Sequence, residues 1–85
     1  MSRGQSNPIA DEVLTLVMST AQSILGKHAW PSDNFFLLGG DSMGAVEMMY
    51  TLEVHFDAEF DPASIIKAED IAALAMSLYN QLQES

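Results

Sequence analysis

The residues of this chain that could do chemistry gather at one stretch. Asn34-Phe35-Phe36-Leu37-Leu38 runs into Gly39-Gly40, and Asp41, Ser42 and Met43 then open a long segment of periodic apolar residues. Glycine reaches backbone angles closed to other residues, so the Gly39-Gly40 pair marks a sharp turn. Aspartate and serine are favoured helix N-cap types, and Asp41 and Ser42 stand where that helix should begin. Ser42 is therefore presented at the mouth of a helix, in solvent. The plainest reading is a loop that ends in a cap.

Two chemical readings compete with it. Gly40-Asp41-Ser42-Met43-Gly44 matches the Gly-x-Ser-x-Gly spacing of a hydrolase nucleophile elbow. That elbow needs a strand before it and a large sheet beneath it. Here an apolar loop precedes the serine, and 85 residues leave no room for the sheet. His28 and His55 are the only histidines, and nothing in their spacing brings either to Ser42 as a base. His55 follows on the same helix, which at ~1.5 Å per residue sets it roughly 20 Å away. Two lone histidines are no metal site, and no glycine-rich phosphate loop with a lysine is present. No catalytic residue and no metal ligand is expected. In the second reading Ser42 is an attachment point. A phosphodiester on a serine at a helix N-terminus meets free backbone N–H groups and the positive end of the helix dipole. A modifying enzyme can reach the hydroxyl because the glycines hold no side chain over it.

The elements that must position this stretch are helical. Pro8 suits a first helical position with Asn7 as its cap, and Ile9, Val13, Leu16, Val17, Ala21, Ile24 and Leu25 recur at helical spacing. Gly26 ends that helix. Residues 26–41 show no sustained period, yet Trp30, Phe35, Phe36, Leu37 and Leu38 are too apolar for a free loop. An ordered connection pinned to the core is expected, with a short helical turn at Ser32–Phe36. A second helix spans Ser42–Phe56, one helical turn fits Ala63–Lys67, and Asp70 caps a last helix, Ile71–Leu82. No stretch alternates as a strand. The expected class is all-α: a small four-helix bundle of three main helices and one short one. Residues 8–83 form the domain, and residues 1–7 are a flexible N-terminal tail.

Composition bounds the function. Twelve acids against three Lys or Arg give a net charge of −9. Such a chain repels nucleic acid and anionic membranes and is steered toward basic patches on protein partners. With 48% apolar residues the chain should fold. It has no cysteine, which removes disulfides and thiolate chemistry and fits a reducing compartment. The N-terminus lacks a signal-peptide core, and no apolar run approaches the ~20 residues of a membrane span. A cytoplasmic monomer is expected.

At about 100° per residue the second helix shows two apolar faces. Ala45, Met48, Met49, Leu52 and Phe56 fall on one side. Met43, Val46 and Tyr50 fall on the other with Glu47 and Val54, and Glu53 flanks them. One stripe suffices to dock a helix on its own core. The second reads as a partner surface, apolar with an acidic rim. Methionines suit a surface that meets partners of different shapes.

The sequence resembles the acyl and peptidyl carrier proteins of fatty acid, polyketide and nonribosomal peptide biosynthesis. Leu38-Gly39-Gly40-Asp41-Ser42-Met43 looks like their serine segment, with Met43 in place of the commoner leucine. Asn34-Phe35-Phe36 is similar to the peptidyl and modular polyketide type. Val46-Glu47 and Leu52-Glu53-Val54-His55-Phe56-Asp57 are similar to the stand-alone fatty acyl type. Ile71-Ala72-Ala73-Leu74-Ala75 resembles the start of the family's last helix, although Lys67-Ala68-Glu69-Asp70 lacks the Pro-Thr often found before it. The likeness covers residues 9–82.

The resemblance implies a carrier that is not an enzyme; the initiator Met1 and the end soon after Leu82 make a stand-alone protein the expectation, with an excised module as the alternative. It implies that a phosphopantetheinyl transferase loads Ser42 with phosphopantetheine from coenzyme A, making it a phosphoprotein, and that Asp41 assists at the transferase's metal-containing site. The arm would hold an acyl or aminoacyl thioester, charged by a ligase and passed to downstream synthases or transferases. Met43, Val46, Glu47, Tyr50 and Glu53 would form the docking face. The competing expectation is an unmodified acidic adaptor that binds through Met43, Val46 and Tyr50.

Overall fold

Helix α1, Pro8–Leu25, sets the frame. Val13, Val17 and Ala21 repeat every fourth residue and are fully buried. Gly26 stops the helix in the left-handed region at φ +69°, where its N–H reaches the Gln22 carbonyl at 2.8 Å. The computed structural model describes residues 8–84, so the tail expected at residues 1–7 lies outside the described residues. Three further helices follow: α2, Ser42–Phe56, α3, Ala63–Lys67, and α4, Ile71–Glu84. Among the described residues there is no strand. The fold is an all-helical bundle, with α1 packed against α2 and α4, and α3 against α4.

The core lies between the three long helices. Met48, Leu52, Ile71, Leu74 and Leu78 join the α1 residues at its centre. α4 runs on to Glu84, two residues past its expected end at Leu82, because no breaker follows.

Helix α4 begins against the α1–α2 connection. Asp70 Oδ1 accepts the Ala73 N–H at 2.8 Å, as a cap should. The Ile71 and Ala72 N–H groups donate to the carbonyls of Asp33 and Pro31, each at 2.9 Å. The connection thus satisfies donors that a helix start leaves open, and it is fixed by doing so.

Its internal structure differs from expectation. The helical turn lies at Asn34–Gly40, not Ser32–Phe36. Asp33 closes a separate turn on Trp30: its N–H donates to the Trp30 carbonyl, and its Oδ2 accepts the Trp30 N–H at 2.7 Å. Asn34 then restarts the chain. Its Oδ1 accepts the N–H groups of Phe36 and Leu37, and its Nδ2 donates to the Glu69 carbonyl at 3.0 Å. The apolar residues of the connection also divide. Ala29 and Phe35 are buried and Phe36 and Leu38 pack on the core, whereas Trp30 is 64% exposed and Leu37 88%.

Candidate functional site

Asp41, not Ser42, caps α2. Its backbone is extended, at φ −120° and ψ 179°. Its Oδ1 accepts the Gly44 N–H at 2.8 Å, and its carbonyl accepts the Ala45 N–H at 2.9 Å. Ser42 is consequently the first helical residue. It is exposed, and its hydroxyl makes no hydrogen bond among the described residues. The N–H groups of Ser42 and Met43 likewise have no acceptor there, as first-turn donors beyond the reach of the cap.

The glycines around the serine answer to different constraints. Gly39 is the turn residue, at φ +111°, a conformation that side-chain-bearing residues rarely adopt. Gly40 has no positive φ, so the expectation that both glycines serve the turn holds for Gly39 alone. A Cβ on Gly40 would run into the Phe35 ring. A Cβ on Gly44 would lie 3.0 Å from Ile24 Cγ2, 3.3 Å from Asp41 Oδ1 and 3.4 Å from Phe35 Cζ. The buried ring therefore lies hard under Gly40 and in ordinary contact with Gly44, whose tight neighbour is Ile24. Phe35 is fixed in turn by the Gly40 N–H on its carbonyl at 3.0 Å and by an edge contact with Phe36. Sequence reasoning passed over Phe35 and Gly44 here. The signals were the Gly-x-Ser-x-Gly spacing, read for a different chemistry, and the aromatic lead-in, read only as a core anchor and a family likeness.

Along α2 the two faces separate as expected. Ala45, Met48, Met49 and Leu52 are buried, and Phe56 is half-buried against the core. Met43, Val46, Tyr50 and Val54 are exposed, between 62% and 76%. Glu47 is exposed too. Glu53 is half-buried, and its Oε2 accepts the Phe60 N–H at 2.9 Å, tying α2 to the segment before α3. An apolar groove of about 430 Å³ opens between α2 and α3, with Ser42, Val46, Met49, Tyr50, Phe60 and Ile65 among its walls. A larger hollow of about 630 Å³ between α3 and α4 is lined mostly by polar residues, Lys67 and Gln81 among them, and does not reach Ser42.

Neither histidine serves the serine. His55 Nε2 is 3.4 Å from Glu12 Oε2 of α1, and the His28 ring meets Trp30 edge-on at 4.6 Å. Among the described residues no cluster of three or more His, Asp or Glu could hold a metal ion. Among the described residues no helix is long and apolar enough to cross a membrane. The site offers an accessible hydroxyl, two free backbone donors and a carboxylate with its second oxygen unengaged. It suits a serine that is acted upon.

Comparison with known proteins agrees with that chemistry. A family model described as "Phosphopantetheine attachment site" matches residues 15–78. No curated protein matches the chain. Among solved structures the fold is similar to BlmI, described as a type-II acyl-carrier-protein from Streptomyces verticillus involved in bleomycin biosynthesis. The TM-score is 0.80 at 20% identity, over 86% of this chain and 89% of that one.

Proposed function

The chain belongs to the phosphopantetheine attachment family, and on that premise we propose that Ser42 is the residue that carries the arm. As a member it is a carrier protein, non-catalytic, with covalent phosphopantetheine as its cofactor. The arm, when bound, supplies a terminal thiol on which an acyl or aminoacyl group is held as a thioester. The observation that carries the assignment to Ser42 is its free hydroxyl at the first helical position, with capping left to Asp41. In the transfer, Ser42 Oγ bonds to the phosphorus of coenzyme A next to the pantetheine. The pyrophosphate bond breaks, adenosine bisphosphate leaves, and the serine proton passes to the transferase. The unpaired N–H groups of Ser42 and Met43 would be available to the phosphodiester, and the dipole of α2 would favour its charge. Asp41 Oδ1 stays on the cap, and Oδ2 is available to the transferase's metal-containing site.

Carriers of this family meet phosphopantetheinyl transferases and biosynthetic enzymes. We place their docking on Met43, Val46, Glu47, Tyr50 and Glu53, beside Ser42 on α2. The Asn34-Phe35-Phe36 lead-in supports a polyketide or nonribosomal-peptide cargo, whereas Val46-Glu47 and Leu52-Glu53-Val54-His55-Phe56-Asp57 support a fatty acyl one. Intact-protein mass after incubation with a transferase and coenzyme A tests the assignment. The protein should gain one phosphopantetheine and Ser42→Ala none. A wild-type chain that gains nothing would be the unmodified adaptor. Mass spectrometry of the protein from its host, with the thioester preserved, reads the cargo.

A further inference from the structure

We propose that Phe35 is a positioning residue for arm attachment: its ring is the seat of Gly40 and touches Gly44, and it fixes the placement of the backbone that presents Ser42 to the transferase. The inference rests on Ser42 as the acceptor. Phe35 never touches the reacting atoms. It is buried at 4% exposure, anchored through its carbonyl to the Gly40 N–H, and pressed from the side by Phe36. Above it the chain passes through Gly40, Asp41, Ser42, Met43 and Gly44. The first of these comes so near the ring that it has no space for a side chain, and the last lies within ordinary contact of it.

The glycine just before Asp41-Ser42 is thus explained by the ring beneath it. Gly40 is needed for close approach and not for its backbone angles, which distinguishes it from Gly39. Gly44 is crowded instead by Ile24, whose Cγ2 would lie 3.0 Å from a Cβ there, and meets the ring only at ordinary van der Waals distance. A flat, rigid ring under a five-residue arch leaves the arch little freedom to tilt. That matters for a group-transfer step, because an acceptor displaced by about 1 Å can react on the order of 100-fold more slowly.

The test measures phosphopantetheine transfer to the apo protein with a transferase and coenzyme A. Phe35→Leu keeps an apolar side chain and removes the ring. Phe35→Met, which also fills the space without a plane, stands in should the leucine variant not fold. Leu78→Ala, fully buried on α4 and outside the groove beside Ser42, controls for lost stability. All are assayed at a temperature where circular dichroism shows them folded. The ring variant should lower kcat about 10- to 100-fold, with the KM for coenzyme A unchanged, while Leu78→Ala keeps its kcat. Equal kcat for the two overturns the proposal.

A second readout needs no enzyme. The Gly40 Hα resonances should shift on Phe35→Leu, since ring currents act over the contact. Unmoved resonances overturn the seat as well. Gly40→Ala should also lower kcat, and combining it with Phe35→Leu should cost less than the product of the two losses, because the smaller side chain makes room for the methyl. Strictly multiplicative losses count against a shared contact. Ser42→Ala separates this idea from the one beneath it. If it still takes up the arm, the acceptor assignment is wrong; if it does not and Phe35→Leu is loaded at full rate, only the seat is wrong.

Discussion

Asp41 and Ser42 are both cap-type residues, and the structure gives the cap to one and leaves the other free. Asp41 Oδ1 holds the Gly44 N–H, while the Ser42 hydroxyl is unbonded. Ser42→Ala should therefore change stability by less than about 0.5 kcal/mol in chemical denaturation, as exposed positions away from special features do. A loss near 1 kcal/mol would mean that the hydroxyl shares the cap after all. Asp41→Ala should cost about 1 kcal/mol, the usual penalty for an emptied N-cap. Asp41→Asn separates the two jobs of this residue. Its carbonyl oxygen still accepts from Gly44, so most of the cap survives, but the charge is gone. We expect near-native stability and slower arm transfer. Transfer at the wild-type rate would show that the carboxylate acts only as a cap.

At the scale of the element, α2 carries the core on one face and solvent-exposed apolar residues on the other, and the two faces should respond to different assays. Leu52→Ala and Met48→Ala remove fully buried side chains and should cost roughly 2–5 kcal/mol. Phe56 is half-buried, so its truncation should fall below that of Leu52. Val46→Ala and Tyr50→Ala should leave the melting curve nearly unmoved and instead reduce turnover by loading enzymes. If Val46→Ala melts as early as Leu52→Ala, the division into faces is wrong. The acids on this helix divide as well. Glu53→Ala strands the Phe60 N–H and should cost about 1 kcal/mol, whereas Glu47→Ala, exposed, should cost almost nothing. Thermal melts of the two single variants compare them directly.

Over the whole molecule the dominant property is charge. A net −9 on 85 residues sets up a field that a basic partner feels before contact. Association with the transferase should slow as salt rises, because screening shortens the reach of exposed charges to about 8–10 Å near physiological ionic strength. Glu47→Lys and Glu84→Lys change the net charge equally, one on the proposed docking face and one near the C-terminus. Stopped-flow rates across a salt series should show the larger slowing for Glu47→Lys. Equal slowing would mean that total charge alone steers the encounter.

The sequence alone determined the helices, the residues that each turns inward and the exposed serine segment. These follow from local rules: a repeat of 3.6 residues, caps within a few positions of a helix end, and a glycine stop at Gly26. What it left undecided depends on partners distant along the chain. Asn34 is held by the carbonyl of Glu69, and the connection takes its shape from the α4 donors it satisfies, so the turn falls at Asn34–Gly40. Trp30 and Leu37 look as apolar as Phe35 in sequence, yet only Phe35 finds a place beneath another part of the backbone. Gly40 reads as a turn residue until the ring under it is seen. Periodicity reports which side of an element is apolar, but which groups meet across the core is settled only when the helices pack, because a contact at van der Waals distance is a property of two surfaces and not of either sequence by itself.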